Sequence, residues 1–272
     1  MKKLLPPFLS IVFIGVAPGL FAQVADPIVP DRPGLGESAF LVPEGTFQVE
    51  TGVNFEWDRE DGVHRKSYTY NTTTLRYGVS GSFEIRAAAN LQQDYLSKLL
   101  SEQISELGLT PWSIGFKARI SENKGWAPRM ALLGNLAIPY AASASFRTSY
   151  IAPSFLIPME WDLSDQLLLT VNTGAFWDGE RAAPSYFGSV GLDYVLLPRL
   201  GLFVESYLDF DAQGSFLPGF DAGTVWRLTP DIQLDLSAGI GLNPEMADGF
   251  LNGGVSYRLS RKRGNPKRHT SG

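Results

Sequence analysis

The chain contains no cysteine. That excludes a disulfide scaffold, a thiolate metal site and a lipid-anchored N-terminal cysteine. Histidine occurs only at His64 and His269, so a hydrolase built on an imidazole base has little to work with. There is no GxSxG elbow, HExxH pair or Gly-rich phosphate loop, and neither a cofactor nor a catalytic residue is expected. Charged residues make up only 19% of the chain and net charge is -5, which leaves no basic footprint for nucleic acid on its body. Past the N-terminus, no apolar run reaches the ~18 residues of a membrane-crossing helix.

The abundant residues are glycine (28), phenylalanine (17), tyrosine (10) and tryptophan (6), a mixture suited neither to disorder nor to helical membrane spans. The N-terminus has Lys2 and Lys3, an apolar run over 4–20 broken by Pro6, Pro7 and Pro18, and then Phe21-Ala22-Gln23. This reads as a secretory signal over residues 1–22 with the cut after Ala22. Residues 23–45 hold Pro27, Pro30, Pro33, Gly34, Gly36, Pro43 and Gly45 and read as an extended arm.

From residue 46 the dominant pattern is alternation. In 232–242 Ile232, Leu234, Leu236, Ala238, Ile240 and Leu242 fall on one face, and Gln233, Asp235, Ser237, Gly239 and Gly241 on the other. The run is about as long as a tilted strand needs to cross a hydrocarbon core. Similar segments recur over 47–57, 68–79, 83–91, 114–120, 130–138, 155–163, 167–177, 188–196, 200–210, 220–228 and 251–259, which makes about twelve strands. Alternation alone fits a soluble sandwich equally well. The links separate the two. Longer ones over 58–66, 94–108, 140–147, 178–184, 211–219 and 243–249 take turns with short ones around 80–81, 164–165, 198–199 and 230–231, the outer-membrane pattern. Trp57, Tyr77, Trp112, Trp126, Trp161, Trp177, Tyr194, Trp226 and Tyr257 lie near segment ends, as interfacial girdles do.

The expected fold is therefore all-β, a transmembrane antiparallel up-and-down β-barrel over 46–259 with both termini periplasmic. A basic disordered tail, 260–272, follows it. One long link, 94–108, carries Leu96, Leu99, Leu100, Ile104 and Leu107 at helical spacing before Gly108, which predicts a short amphipathic helix acting as a lid or resting on the rim.

The sequence resembles a known family, the outer-membrane proteins of the MetA pathway of phenol degradation. The resemblance is carried by Asp31-Arg32-Pro33, Glu37-Ser38 and the run from Val42-Pro43-Glu44-Gly45-Thr46-Phe47 to Thr51-Gly52. It continues in Ile114-Gly115-Phe116-Lys117, Lys124-Gly125-Trp126-Ala127-Pro128 and Arg227-Leu228-Thr229-Pro230. It implies a Gram-negative outer-membrane, porin-like transporter of small solutes, aromatic or hydrophobic ones among them, with membrane lipid and the barrel assembly machinery as partners. Barrels of this kind usually end on an aromatic residue. Here the last strand ends Tyr257-Arg258-Leu259 and the basic tail follows.

With the apolar face on lipid, the alternate face lines the lumen. It carries Glu50, Glu56, Glu84, Arg86, Lys117, Arg119, Arg129, Glu160, Asp193, Glu205, Asp209, Arg227, Asp235 and Arg258. Lys117, Arg119 and Arg129 are on the fourth and fifth strands and Asp193, Glu205, Asp209 and Asp235 on later ones, so a transverse field across the lumen is expected. The arm is a candidate plug, with Asp31, Arg32 and Glu37 meeting lumen charges. Two other readings stand beside the channel: a structural or interaction barrel with a sealed lumen, and an outer-membrane hydrolase.

Overall fold

In a computed structural model, residues 27–60, 62–98 and 104–259 are described. The signal, the tail, Leu99 and Leu100 lie outside them. Thirteen β-segments run in chain order: β1 Phe47–Glu60, β2 Val63–Ser80, β3 Phe83–Lys98, β4 Ile104–Leu109, β5 Trp112–Ser121, β6 Arg129–Ile138, β7 Ala152–Asp162, β8 Leu167–Phe176, β9 Ser185–Leu197, β10 Leu200–Phe210, β11 Phe216–Thr229, β12 Ile232–Gly241 and β13 Gly249–Leu259. β4 and β5 are two pieces of one strand. β3 pairs with β4 through Leu91↔Leu109 and then with β5 through Ala88↔Ser113. The break falls at Pro111, which has no N–H to give a ladder, while Thr110 N–H still reaches the Asn90 carbonyl at 3.0 Å.

Each strand thus pairs antiparallel with its neighbours, and β1 closes on β13 from Phe47↔Leu259 to Trp57↔Gly249. The result is a closed twelve-strand up-and-down barrel with no free edge, as a lipid solvent demands. The faces are inside out relative to a soluble protein. On β12, Gln233, Asp235 and Ser237 are buried, whereas Leu236 and Ile240 are 59% and 50% exposed. β10 repeats this, with Phe203, Glu205 and Tyr207 inside and Leu202 and Val204 outside.

Two expectations about the links are corrected. Among the described residues of the 94–108 link there is no helix: 94–98 belong to β3, 104–108 to β4, and Leu96 stands opposite Ile104. The long link expected over 58–66 is a tight hairpin, because β1 and β2 stay paired to Glu60↔Val63. At the same end of the barrel lie 139–151, 177–184, 211–215 and 242–248. The opposite end has 81–82, 122–128, 163–166, 198–199 and 230–231. These are called below the loop end and the turn end.

The described part of the arm, from residue 27, begins and finishes at the turn end. Ile28 N–H donates to the Pro230 carbonyl in the β11–β12 turn (2.7 Å), and Glu44 bridges Gly78 near the end of β2. Thr46 N–H then bonds back to Pro43, a turn that needs the positive φ of Gly45 (69°) before β1 can start. Between those points the chain loops up into the lumen.

Candidate functional site

The arm has no strand to pair with, so its backbone N–H groups need other acceptors. Lumen side chains supply them. Glu50 accepts from Asp31 N–H (3.0 Å), Glu205 from Leu35 and Gly36 (2.8 and 3.0 Å), Asn172 from Glu37 (3.2 Å), Glu160 from Ala39 (3.0 Å) and Glu84 from Val42 (2.7 Å). Charge-assisted bonds of this kind are the stronger sort. Ser38 Oγ adds a bond to Glu160, and Lys117 and Arg76 donate to the carbonyls of Ser38 and Phe40.

Asp31 is the centre of the largest ion-pair network. Lys117 approaches it at 2.7 Å, Arg76 at 2.9 Å and Arg86 at 3.0 Å, while Arg76 also reaches Glu50 and Glu84 at 2.8 Å each. Burial pushes the Asp31 carboxyl up, but Arg76, Lys117 and Arg86 together hold it well below the usual carboxylate range. Glu37 pairs with Arg86 at 3.0 Å and lies 3.8 Å from Lys117. For Glu37, burial and the neighbouring Asp31 carboxylate outweigh the pull of Arg86 and Lys117, and its carboxyl is raised to about 7.

Arg32 points the other way, across the seam where the first and last strands meet. Its guanidinium donates to Thr72 on β2 (2.7 Å), Asp235 on β12 (3.0 and 3.3 Å) and Asn252 on β13 (2.7 Å). A Cβ at Gly52 or Gly254 would come within 2.5 Å of the Arg32 Nη2 atom, so both glycines keep this slot open. On the far wall Arg129 caps the arm's Phe40 ring at 3.7 Å from its centroid and pairs with Glu160 at 3.0 Å.

Of the charged residues expected in the lumen, Glu50, Glu84, Arg86, Lys117, Glu160, Glu205 and Asp235 are brought to the arm. Others lie elsewhere. Arg119 pairs with Glu122 on the turn side, and Arg258 is tied to Asp231 at 2.7 Å in the β11–β12 turn. Asp193 and Arg227 line a cavity of about 300 Å³ between the arm and the β7–β12 wall, bounded also by Phe203 and Leu168. Asp209 is half-buried on β10. Glu56 lines a mouth of about 620 Å³ at the loop end with Asp58, Asp94 and Glu106. His64 is exposed near the start of β2 and His269 lies outside the described residues.

The sequence reading missed Arg76, Asn172 and Asp221, all fully buried. The signal was present: Arg76 sits between Leu75 and Tyr77 and Asp221 follows Phe220, so alternation already puts both on the lumen face. Asp221 stands directly opposite Glu205 in the ladder. Basic side chains concentrate on β2–β6 (Arg76, Arg86, Lys117, Arg129), with Glu84 among them, and carboxylates on β9–β12 (Asp193, Glu205, Asp209, Asp221, Asp235), with Arg227 among the latter.

The comparisons agree with this architecture. The COG4313 outer membrane channel from Pseudomonas putida F1 is similar in fold, with a TM-score of 0.68, 12% identity, and coverage of 84% of this chain and 99% of that one. The transport unit of the autotransporter AIDA-I from Escherichia coli has a TM-score of 0.52 at 8% identity, covering 79% and 90%. No curated protein matches the sequence. The family model described as "Putative MetA-pathway of phenol degradation" matches residues 30–259, from the arm to the last strand, and the chain belongs to that family.

Proposed function

We propose that this outer-membrane barrel is a channel for small solutes, aromatic or hydrophobic ones among them, and that the arm is a plug narrowing its lumen. The observation that carries the reading is open volume on both sides of the docked arm: about 300 Å³ toward the turn end, and about 260 and 220 Å³ toward the loop end. A barrel serving only as a scaffold has no need of space there. The family's description and the printed name of the Pseudomonas protein, an outer membrane channel, support the same reading. The greater length of most loop-end links supports an orientation with both termini in the periplasm. In that orientation the plug is reached from the periplasm, where the barrel assembly machinery receives the chain.

The dense ion pairing around Asp31 favours the second reading, a braced barrel with a sealed lumen. Planar-bilayer recording and liposome swelling with solutes of graded size separate the two. The intact protein is expected to give a small conductance, and a protein lacking residues 24–43 a larger one. Zero flux of every solute through both proteins overturns the channel. Equal conductance in both overturns the plug.

A further inference from the structure

Glu37 is the one residue that lines all three cavities next to the arm. The turn-side cavity meets it beside Asp31, Gly36 and Ser38. The first loop-side cavity meets it beside Arg86, Thr74 and Ser113, and the second beside Leu35, Leu133 and Phe187. No other described residue is common to the turn-side cavity and either loop-side one. The Glu37 side chain keeps 25% of its surface exposed, although the pair it forms with Arg86 sits in an otherwise buried network.

We propose that Glu37 is the charge-selecting residue of the lumen, the point at which a solute passing the arm meets a carboxylate. The inference rests on the channel reading above. The groups facing Glu37 fix its sign. Asp31 lies beside it on the arm, with Arg86 and Glu84 from β3, Lys117 from β5, Arg76 from β2 and Glu50 from β1. Four carboxylates (Asp31, Glu37, Glu50, Glu84) against three cations (Arg76, Arg86, Lys117) leave one net negative charge. Nearby, Glu160 shares Arg129 with Asp162, and Glu205, opposite Asp221, is held by the N–H groups of Leu35 and Gly36, so these surroundings add negative charge. Protonating Glu37 brings the seven-group network to zero.

Selectivity for cations therefore follows the ionisation of Glu37, which has a raised carboxyl titrating about 7. As pH rises through that value the group charges and cations are favoured. As pH falls the preference fades.

The test is the reversal potential of the full-length protein in planar bilayers under a potassium chloride gradient, at roughly pH 5.5 and roughly pH 8.5, either side of the titration. The wild type is expected to prefer potassium over chloride at the higher pH by about thirtyfold more than at the lower, since one unit charge at ~4 Å through water favours the cation and disfavours the anion by about fivefold each. Glu37→Gln keeps the shape of the side chain and one of the two oxygens that accept from Arg86. It is expected to be less cation-selective than the wild type at the higher pH and to lose part of the change between the two values. A conducting wild type whose permeability ratio is unchanged in Glu37→Gln overturns this inference and leaves the channel standing. A Glu37→Gln conductance as large as that of the arm deletion also overturns it, because Glu37 then only anchors the arm. No conductance from the wild type overturns this inference, and none from the arm deletion as well overturns the channel too.

Discussion

Gly254 shows how one missing side chain places a charged one. The Arg32 guanidinium occupies the space a Cβ at Gly254 would need, with Nη2 and Nε 2.5 and 2.6 Å from that position. Gly254→Val must displace Arg32 and strand its three hydrogen-bonding partners, Thr72, Asp235 and Asn252. Overpacking of this kind typically costs about 1–3 kcal/mol. The expected outcome is a lower thermal unfolding midpoint in detergent and faster limited proteolysis within 27–45, and an arm as resistant as the wild type's would refute it. Asp31 carries the opposite pH dependence from Glu37. Its carboxyl is depressed in the folded protein, so the stability it lends is full above the ordinary carboxylate pKa and is lost only as pH falls far below it.

At the scale of elements, the arm behaves as a strand without a ladder. Its amides at Asp31, Leu35, Gly36, Ala39 and Val42 all end on lumen carboxylates. Hydrogen exchange should therefore find them as slow as amides in β10 and far slower than those in the 211–215 link. Rapid exchange at all five would mean the arm is not docked. Much of this was legible in the sequence. Alternation located the twelve strands because a lipid-facing strand must segregate its side chains, and it assigned Glu50, Glu205 and Asp235 to the inner face for the same reason. The strand character of 96–98 and 104–107 was not legible. Leu96, Ile104 and Leu107, on two paired strands, fall at spacings that mimic a helix, and only the cross-strand partner, Ile104 opposite Leu96, distinguishes them. Nor was the pairing of Glu160 with the arm rather than with Arg129 alone, since alternation gives the face of a residue and not its height.

For the whole molecule, the energetic divide is between the two surfaces of one sheet. Leu236 is exposed to the lipid side and Asp235, its neighbour, is buried on the lumen side. Arginine on the lipid face at mid-depth costs about 2–4 kcal/mol, so Leu236→Arg should fold into liposomes far less efficiently than Ser237→Arg, which places the same charge among lumen carboxylates. Equal folding yields, read as the heat-modifiable band on a gel, would contradict the inside-out assignment. The position of Arg32 bears on the order of assembly. It precedes β1 in the chain, yet its partners include Asp235 on β12 and Asn252 on β13, strands that come near β1 only when the sheet has closed. The slot between Gly52 and Gly254 does not exist in an open sheet. Arg32 can thus make its full set of bonds only once β13 has closed on β1.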